Sequence, residues 1–370
     1  MTNASNEKRN EEVRERRMSE IKLGIQKFGM TDVCMDIDDL FMRRLLVQGI
    51  SGSGKSTLLK RILFGLDEKV NGLQKIILDW EGEFSTKLEG MDFVLIGGKD
   101  YPTDIEKAKV YANTLRLNNH SAIVDLSVLK KRKDRETFVE RFIDEFLDCI
   151  PIEKFKDHHT HRCVFVIDEA HNLCQQNGSS ESRDSIIRLC ETGRKRNIAT
   201  VLATQRLSEI NKNASAQMAN SIIGLTMDLT DRERSLKFLG LRRGAKELDE
   251  ISNLDAGEFY IKGTSVRGRD SDESILMVSP KDYPHYKNEK EAHQSQVKRE
   301  IKKDIETNED IIKKLKKEIY DLKAQLNKME SLKKGEYARG WNDGYEALRK
   351  FDQDGFKTSS GWNKLREIFG

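Results

Sequence analysis

Eight consecutive residues, Gly49-Ile50-Ser51-Gly52-Ser53-Gly54-Lys55-Ser56, match the pattern G-x-x-x-x-G-K-[ST] at every position. An apolar, strand-like run at 44–48 precedes them, and a helical run opening with Thr57 follows. The chemistry follows from residue type. Three glycines let successive backbone N–H groups turn inward around phosphate oxygens. The start of the following helix adds partial positive charge. Lys55 is placed to reach terminal phosphates, and the Ser56 hydroxyl to coordinate Mg²⁺. The expected nucleotide contacts are therefore Gly49, Ser51, Gly52, Ser53, Gly54, Lys55, Ser56 and Thr57.

A second element completes such a site. Cys163-Val164-Phe165-Val166-Ile167-Asp168-Glu169 reads as five apolar residues of a buried strand followed by two acids. In parallel sheets ligands bind beyond the carboxyl ends of the strands. Asp168 is expected in the Mg²⁺ shell, and Glu169 beside the attacking water. No N-K-x-D sequence is present to select guanine, so ATP is the expected nucleotide.

Positioning these groups requires an α/β scaffold. Strands are predicted at 44–48, 75–79, 92–96, 121–126, 163–167 and 199–203, with helices between them at 105–115, 135–149 and 182–194. Later strands are predicted at 221–226, 258–261 and 274–278. The alternation predicts a mostly parallel central sheet with helices on both faces. Residues 1–30 are densely charged, with weak helical spacing of Val13, Met18, Ile21, Leu23 and Ile25. They read as an arm, helical or disordered, leaving 31–283 for the ATPase domain. Between 284 and 334, Ile305, Asn308, Ile312, Leu315, Ile319, Leu322, Leu326 and Met329 recur at spacings of three and four. That seam predicts a coiled coil, with the isoleucine and leucine placement favouring two parallel strands. Residues 335–370 carry glycines and aromatics, among them Trp341, Tyr345 and Trp362. They suit either a docking module or a helical cap.

The formal net charge is +3, so nucleic-acid contact would have to come from local basic clusters. Two are present, Lys130-Lys131-Arg132-Lys133 and Arg242, Arg243 and Lys246. Each suits a phosphate-contacting loop or a solvated helix start. Five cysteines without a C-x-x-C pair fit a reduced, cytoplasmic setting. No run of 18 apolar residues exists, so no membrane span is expected. His158, His159 and His161 read as loop histidines rather than zinc ligands.

An ordered series of short elements resembles the HerA–FtsK superfamily of P-loop ATPases, in its HerA-like branch. Beyond the glycine-rich loop, it comprises Asp79-Trp80-Glu81-Gly82-Glu83-Phe84, Val124-Asp125-Leu126-Ser127 and Asp168-Glu169-Ala170-His171. Glu191-Thr192-Gly193-Arg194-Lys195, Ala203-Thr204-Gln205-Arg206, Asn220-Ser221-Ile222 and Gly257-Glu258-Phe259 follow. The resemblance spans roughly residues 30–280 and implies a RecA-like fold. It implies that Gln205 senses the γ-phosphate and that Arg194 is a finger reaching a neighbouring subunit's nucleotide, with Arg196 the alternative. Glu83 is implied to line the site or a central pore. A finger acting in trans implies a ring, and the family's usual ring is a hexamer. About 45 residues precede the glycine-rich loop, too few for the β-barrel of cellular HerA-like proteins. A mobile-element or viral packaging or transfer motor is the expectation from that layout. The DEAH spelling at 168–171 is read as coincidental with that of helicases.

Two functional readings result. One is a MgATP-hydrolysing ring that translocates DNA without sequence specificity, with a further protein partner for the coiled coil or C-terminal segment. The other is a coiled-coil scaffold whose assembly ATP switches without movement.

Overall fold

The computed structural model describes residues 19–28, 31–88, 91–155, 161–178, 180–242, 244–267 and 275–279, together with 303, 306, 310, 313–314 and 317–325. Twelve strands are found among them: β1 (Glu20–Gln26), β2 (Asp32–Asp36), β3 (Leu45–Gln48), β4 (Gln74–Asp79), β5 (Val94–Ile96), β6 (Ala122–Asp125), β7 (Cys163–Ile167), β8 (Ile198–Thr204), β9 (Asn220–Ile223), β10 (Glu258–Lys262), β11 (Val266–Arg267) and β12 (Ile275–Val278). They form one sheet in the order β11-β2-β1-β12-β10-β9-β3-β8-β7-β4-β6-β5. From β9 to β5 every pairing is parallel. From β9 to β11 every pairing is antiparallel.

The parallel half follows from its composition. β3, β4, β7, β8 and β9 are buried at every position. Side chains alternate across a strand, so each strand feeds a core on both faces. In β7, Phe165 and Ile167 enter one core, and Val164 and Val166 the other. Helix α1 (Lys55–Lys69) covers the second face with Leu58, Leu59, Ile62, Leu63 and Leu66. Helices α2 (Ala108–Leu117), α3 (Arg132–Asp148) and α4 (Arg183–Thr192) contribute buried residues to the first core. On α3, Phe138, Phe142 and Phe146 lie one turn apart and stack in sequence, and Phe165 of β7 meets Phe146 edge-on at 5.4 Å. Each such buried side chain contributes about 1.5–3 kcal/mol.

The antiparallel half corrects one expectation. Residues 20–26, assigned above to the charged arm, are a strand of the sheet. Ile21, Leu23 and Ile25 alternate with Lys22 and Gly24, which is strand period, not helix period. β1 packs closely on α1, where a Cβ on Gly65 would lie 2.3 Å from Ile21 Cγ2. The remainder of the arm, residues 1–18, lies outside the described residues. So do most of the heptad seam and all of 335–370. Within the seam, residues 317–325 are helical, with Ile319 half-buried and Leu322 exposed. No helix of the described residues is long and apolar enough to cross a membrane.

Candidate active site

β3 lies between β8 and β9 and places the glycine-rich loop at the carboxyl edge of the parallel strands. The loop is tied to both neighbours. Gly49 N–H donates to the Thr204 carbonyl at 3.1 Å, and Ile50 N–H to the Leu225 carbonyl at 2.9 Å. The Ser53 carbonyl accepts from Gly257 N–H at 2.9 Å. Gly257 and Phe259, singled out in the sequence as a late G-E element, thus brace the loop from β10.

Gly54 caps α1 at φ +94°, and a Cβ there would stand 3.1 Å from Gly257 N and 3.3 Å from its Cα. Both the backbone region and the space exclude a side chain. Gly54→Ala is expected to destabilise the fold by about 1–3 kcal/mol and to abolish nucleotide binding. Thermal melts with and without ATP analogue check this: a variant with unchanged melting and unchanged ligand-induced stabilisation would contradict it.

The site's charged groups converge. Lys55 Nζ forms a buried ion pair with Glu169 and lies 3.8 Å from Asp168 Oδ1. Glu169 sits just past β7 in the left-handed region, at φ +45°, a strained conformation for a residue with a side chain. Its carboxylate accepts from Gln205 backbone N–H at 3.1 Å and from Gln205 Nε2 at 3.0 Å. His171 Nδ1 lies 3.2 Å from Glu169 Oε2 and 3.1 Å from Thr204 Oγ1. Burial opposes ionisation of Glu169, but His171, Lys55 and Gln205 outweigh it and hold the carboxyl down at about 2. Burial pushes Asp168 up to about 7, against the pull of Lys55 and with added repulsion from Glu169 and Asp79.

Asp168 is 5% exposed, and its Oδ1 has no hydrogen-bond partner among the described residues. A buried carboxylate oxygen without a donor, with a raised pKa, is suited to bind a hard cation. Ser56, half-buried at the first turn of α1, supplies the hydroxyl of the expected pair. Ser53 Oγ is likewise buried without a partner. Ser51 and Gly52 are exposed at the loop tip, and Thr57 is half-buried.

Beside these groups the Asp79 carboxylate accepts from Gly82 N–H at 2.9 Å and Phe84 N–H at 2.7 Å, folding the loop after β4. Arg135 ties this loop to the one after β6. It donates to the carbonyls of Trp80, Ser127 and Leu129 and stacks on the Trp80 ring at 4.4 Å. Glu83 is half-buried in this loop, while Glu81 reaches a cavity of about 430 Å³ in front of Gln205. Glu169, His171, Arg206, Asp228 and Asp231 line the same cavity. Sequence reasoning assigned no role to His171, Arg206, Asp228 or Asp231. Only the proximity of His171 to Glu169, two residues apart beyond a strand, was a readable signal.

Arg194 is elsewhere. It lies exposed in the 3₁₀ turn Gly193–Arg196, just before β8, and no hydrogen bond or ion pair of its guanidinium is found among the described residues. Gln205 is just past the opposite end of β8. Seven strand residues separate the two, about 23 Å at strand rise. Arg196, the alternative finger, donates from Nε to the Leu147 carbonyl at 2.7 Å and lies 3.7 Å from Asp148. Asn220 is also remote from the nucleotide loop. It clamps the start of β9 to Ser265, with Nδ2 2.9 Å from Ser265 Oγ. Lys130, Lys131, Arg132 and Lys133 are exposed beyond the carboxyl end of β6. Two of them are engaged, Arg132 with Glu136 and Lys133 with Glu181. Arg242 and Lys246 are exposed, and Arg243 lies outside the described residues. Of the three loop histidines only His161 is described, and its carbonyl accepts from Arg116.

Comparison with known proteins places this geometry. The family model for the central domain of helicase HerA matches residues 21–338. A probable helicase of Methanocaldococcus jannaschii, MJECL08, is 25% identical over 173 residues, 46% of this chain and 32% of that protein. The DNA double-strand break repair helicase HerA of Sulfurisphaera tokodaii is 29% identical over 104 residues, 28% of this chain and 21% of that protein. The chain therefore spans a third or less of these relatives' own length. Among solved structures, VirB4 of Thermoanaerobacter pseudethanolicus aligns with a TM-score of 0.49 at 14% identity, covering 72% of this chain and 98% of that one. The genome packaging NTPase B204 of Sulfolobus turreted icosahedral virus 2, in complex with AMPPCP, aligns with a TM-score of 0.41 at 14% identity, covering 64% and 98%. With its matched residues running through both the nucleotide loop and the Asp168–Glu169 pair, the chain belongs to the family of the HerA central domain.

Proposed function

We propose that this chain is a Mg²⁺-dependent ATPase that works as a ring of identical copies to move DNA. The observation that carries the reading is the convergence of Lys55, Asp168, Glu169 and Gln205 at the carboxyl ends of β3, β7 and β8.

The chain's own residues divide the work. Lys55 is held by Glu169 in the free site, and terminal phosphates of ATP compete for it. Its departure leaves Glu169 with Gln205 and His171, positioned to hold the attacking water in line. Held by those two partners, Glu169 acts first by orienting that water. Such a role suits the loose transition state of phosphoryl transfer, which demands little proton removal before bond cleavage. Gln205 bonds Glu169 through both its backbone and its side chain, and so links the water position to β8. Asp168 and Ser56 would hold Mg²⁺, which would supply positive charge to offset the charge of the transferring phosphoryl group.

Arg194 cannot serve its own chain's site from the far end of β8. It can serve that of a second copy. The cavity in front of Gln205 presents the exposed carboxylates of Glu81 and Asp228 to an incoming cation, while Asp231 is buried and paired with Arg206. A head-to-tail contact of this kind generates a closed ring when the rotation closes, and a hexamer is the arrangement proposed. DNA would be held through its phosphates by exposed lysines such as Lys130 and Lys131, without base readout.

The test is ATPase activity with and without duplex and single-stranded DNA, with Lys55→Ala and Glu169→Gln as controls. Stimulation by DNA, absent in both controls, is the expected result. Robust hydrolysis indifferent to every form of DNA would remove translocation from the reading, and a monomer in the presence of ATP analogue would remove the ring.

A further inference from the structure

The proposed finger turn rests on a buried cation outside the nucleotide site. Arg116, at the end of α2, is 1% exposed, among the largest fully buried side chains of the described residues. Its guanidinium donates to Gln74 Oε1 at 2.8 Å, to the His161 carbonyl at 3.2 Å and to the Arg196 carbonyl at 2.9 Å. The acceptors belong to the start of β4, the start of β7 and the turn that carries Arg194. Phe146 and Phe155 flank the guanidinium, with ring centroids 5.1 and 5.3 Å from Cζ. All these partners are neutral, and burial lowers the pKa of the group. Among the described residues no carboxylate pairs with this cation, and a buried cation so placed is a costly way to fill space that an apolar side chain of similar volume would often fill as stably. Its distinctive property is a planar fork that fixes several carbonyls at once.

We infer that Arg116 is a positioning residue for Arg194, orienting the finger turn for the site of a second copy. The inference rests on the reading of Arg194 as a finger acting in trans. Three further contacts hold the same turn. Arg196 Nε donates to Leu147, Cys163 N–H donates to the Asn197 carbonyl at 2.9 Å, and Gly193 packs where a Cβ would lie 3.3 Å from the Ile198 carbonyl. With the turn so anchored, the exposed side chains of Arg194 and Lys195 project from it, and Arg194 is the one read as the finger. Its approach to the neighbour's phosphate is then set before assembly, and little ordering is left to the moment of reaction.

The test separates donor from acceptor by mixing full-length variants. A Lys55→Ala chain donates a finger and hydrolyses nothing, and an Arg194→Ala chain hydrolyses only when a neighbour supplies the finger. The mixture is expected to recover activity that neither variant shows alone. Arg116→Met added to the donor is expected to reduce that recovered rate about 10–100-fold. The same substitution added to the acceptor is expected to leave it within about twofold. Arg116→Lys in the donor, which keeps the charge and loses the fork, is expected to fall between. If the parent mixture recovers and the Arg116→Met donor recovers equally, the inference is wrong while the finger stands. If Arg116→Met harms donor and acceptor alike, Arg116 only maintains the fold and the inference is likewise wrong. Failure of the parent mixture removes the trans finger, and the positioning role with it.

Discussion

Glu169→Gln slows ATP hydrolysis by about 10²–10⁴-fold and leaves nucleotide binding intact or tighter. The direction of the binding effect follows from the free site. Lys55 is paired with Glu169 there, so ATP must draw the ammonium away from a carboxylate. An amide of the same shape removes that competition and keeps an acceptor for the Gln205 amide, which lies 3.0 Å from Glu169 Oε1. It loses the negative charge that holds and polarises water. Single-turnover hydrolysis and binding of a fluorescent ATP analogue measure the two effects separately. Hydrolysis within threefold of the native rate would show that Glu169 does not position the nucleophile. A parallel loss of binding would show that the residue maintains the loop and not the reaction.

Arg194→Ala is expected to lower kcat by about 10³-fold or more, with little change in KM for ATP. Stability should shift by no more than about 0.5 kcal/mol, since the side chain is exposed and engages no described residue. The contrast with Arg196→Ala is the informative part. Arg196 is bonded to Leu147 and lies beside Asp148, so its loss should lower the melting temperature. Activity per folded ring should fall less than for Arg194→Ala. The sequence alone left the choice between these two arginines open, two residues apart in one basic run. The two differ in partner: the Arg196 guanidinium is bonded within its own chain, and that of Arg194 engages no described residue. Equal kinetic losses in both variants would overturn the assignment.

The glycine-rich loop and the acid pair were legible because their chemistry is contiguous. Phosphate cradling needs glycines at short, set spacings, and a buried strand that ends in two acids is readable as five apolar residues and a sharp change of polarity. The parallel strands were legible for a related reason. Strands covered on both faces are rich in apolar residues, continuously so in β7 and, around a few polar positions, in β4 and β8. β1 was missed because its alternation is interrupted at Gly24 and set in a charged region. Its alternation became decisive only once α1 was seen to pack on it at Gly65. Arg116 carried no signal, since nothing in a helical sequence marks an arginine whose partners are carbonyls far along the chain.

By itself, then, the sequence determined that a triphosphate site exists, which loop and which strand end build it, and that an α/β sheet carries them. Contiguous backbone geometry and burial period suffice for each. Only the tertiary structure decided which strands neighbour which, and therefore that Glu169, Gln205 and His171 form one network and that Arg194 lies at the wrong edge for its own site. It alone showed that a buried guanidinium, Arg116, holds the turn that carries Arg194. These are contacts between segments distant in the chain, and their energies depend on distance and desolvation that no local pattern of residues encodes.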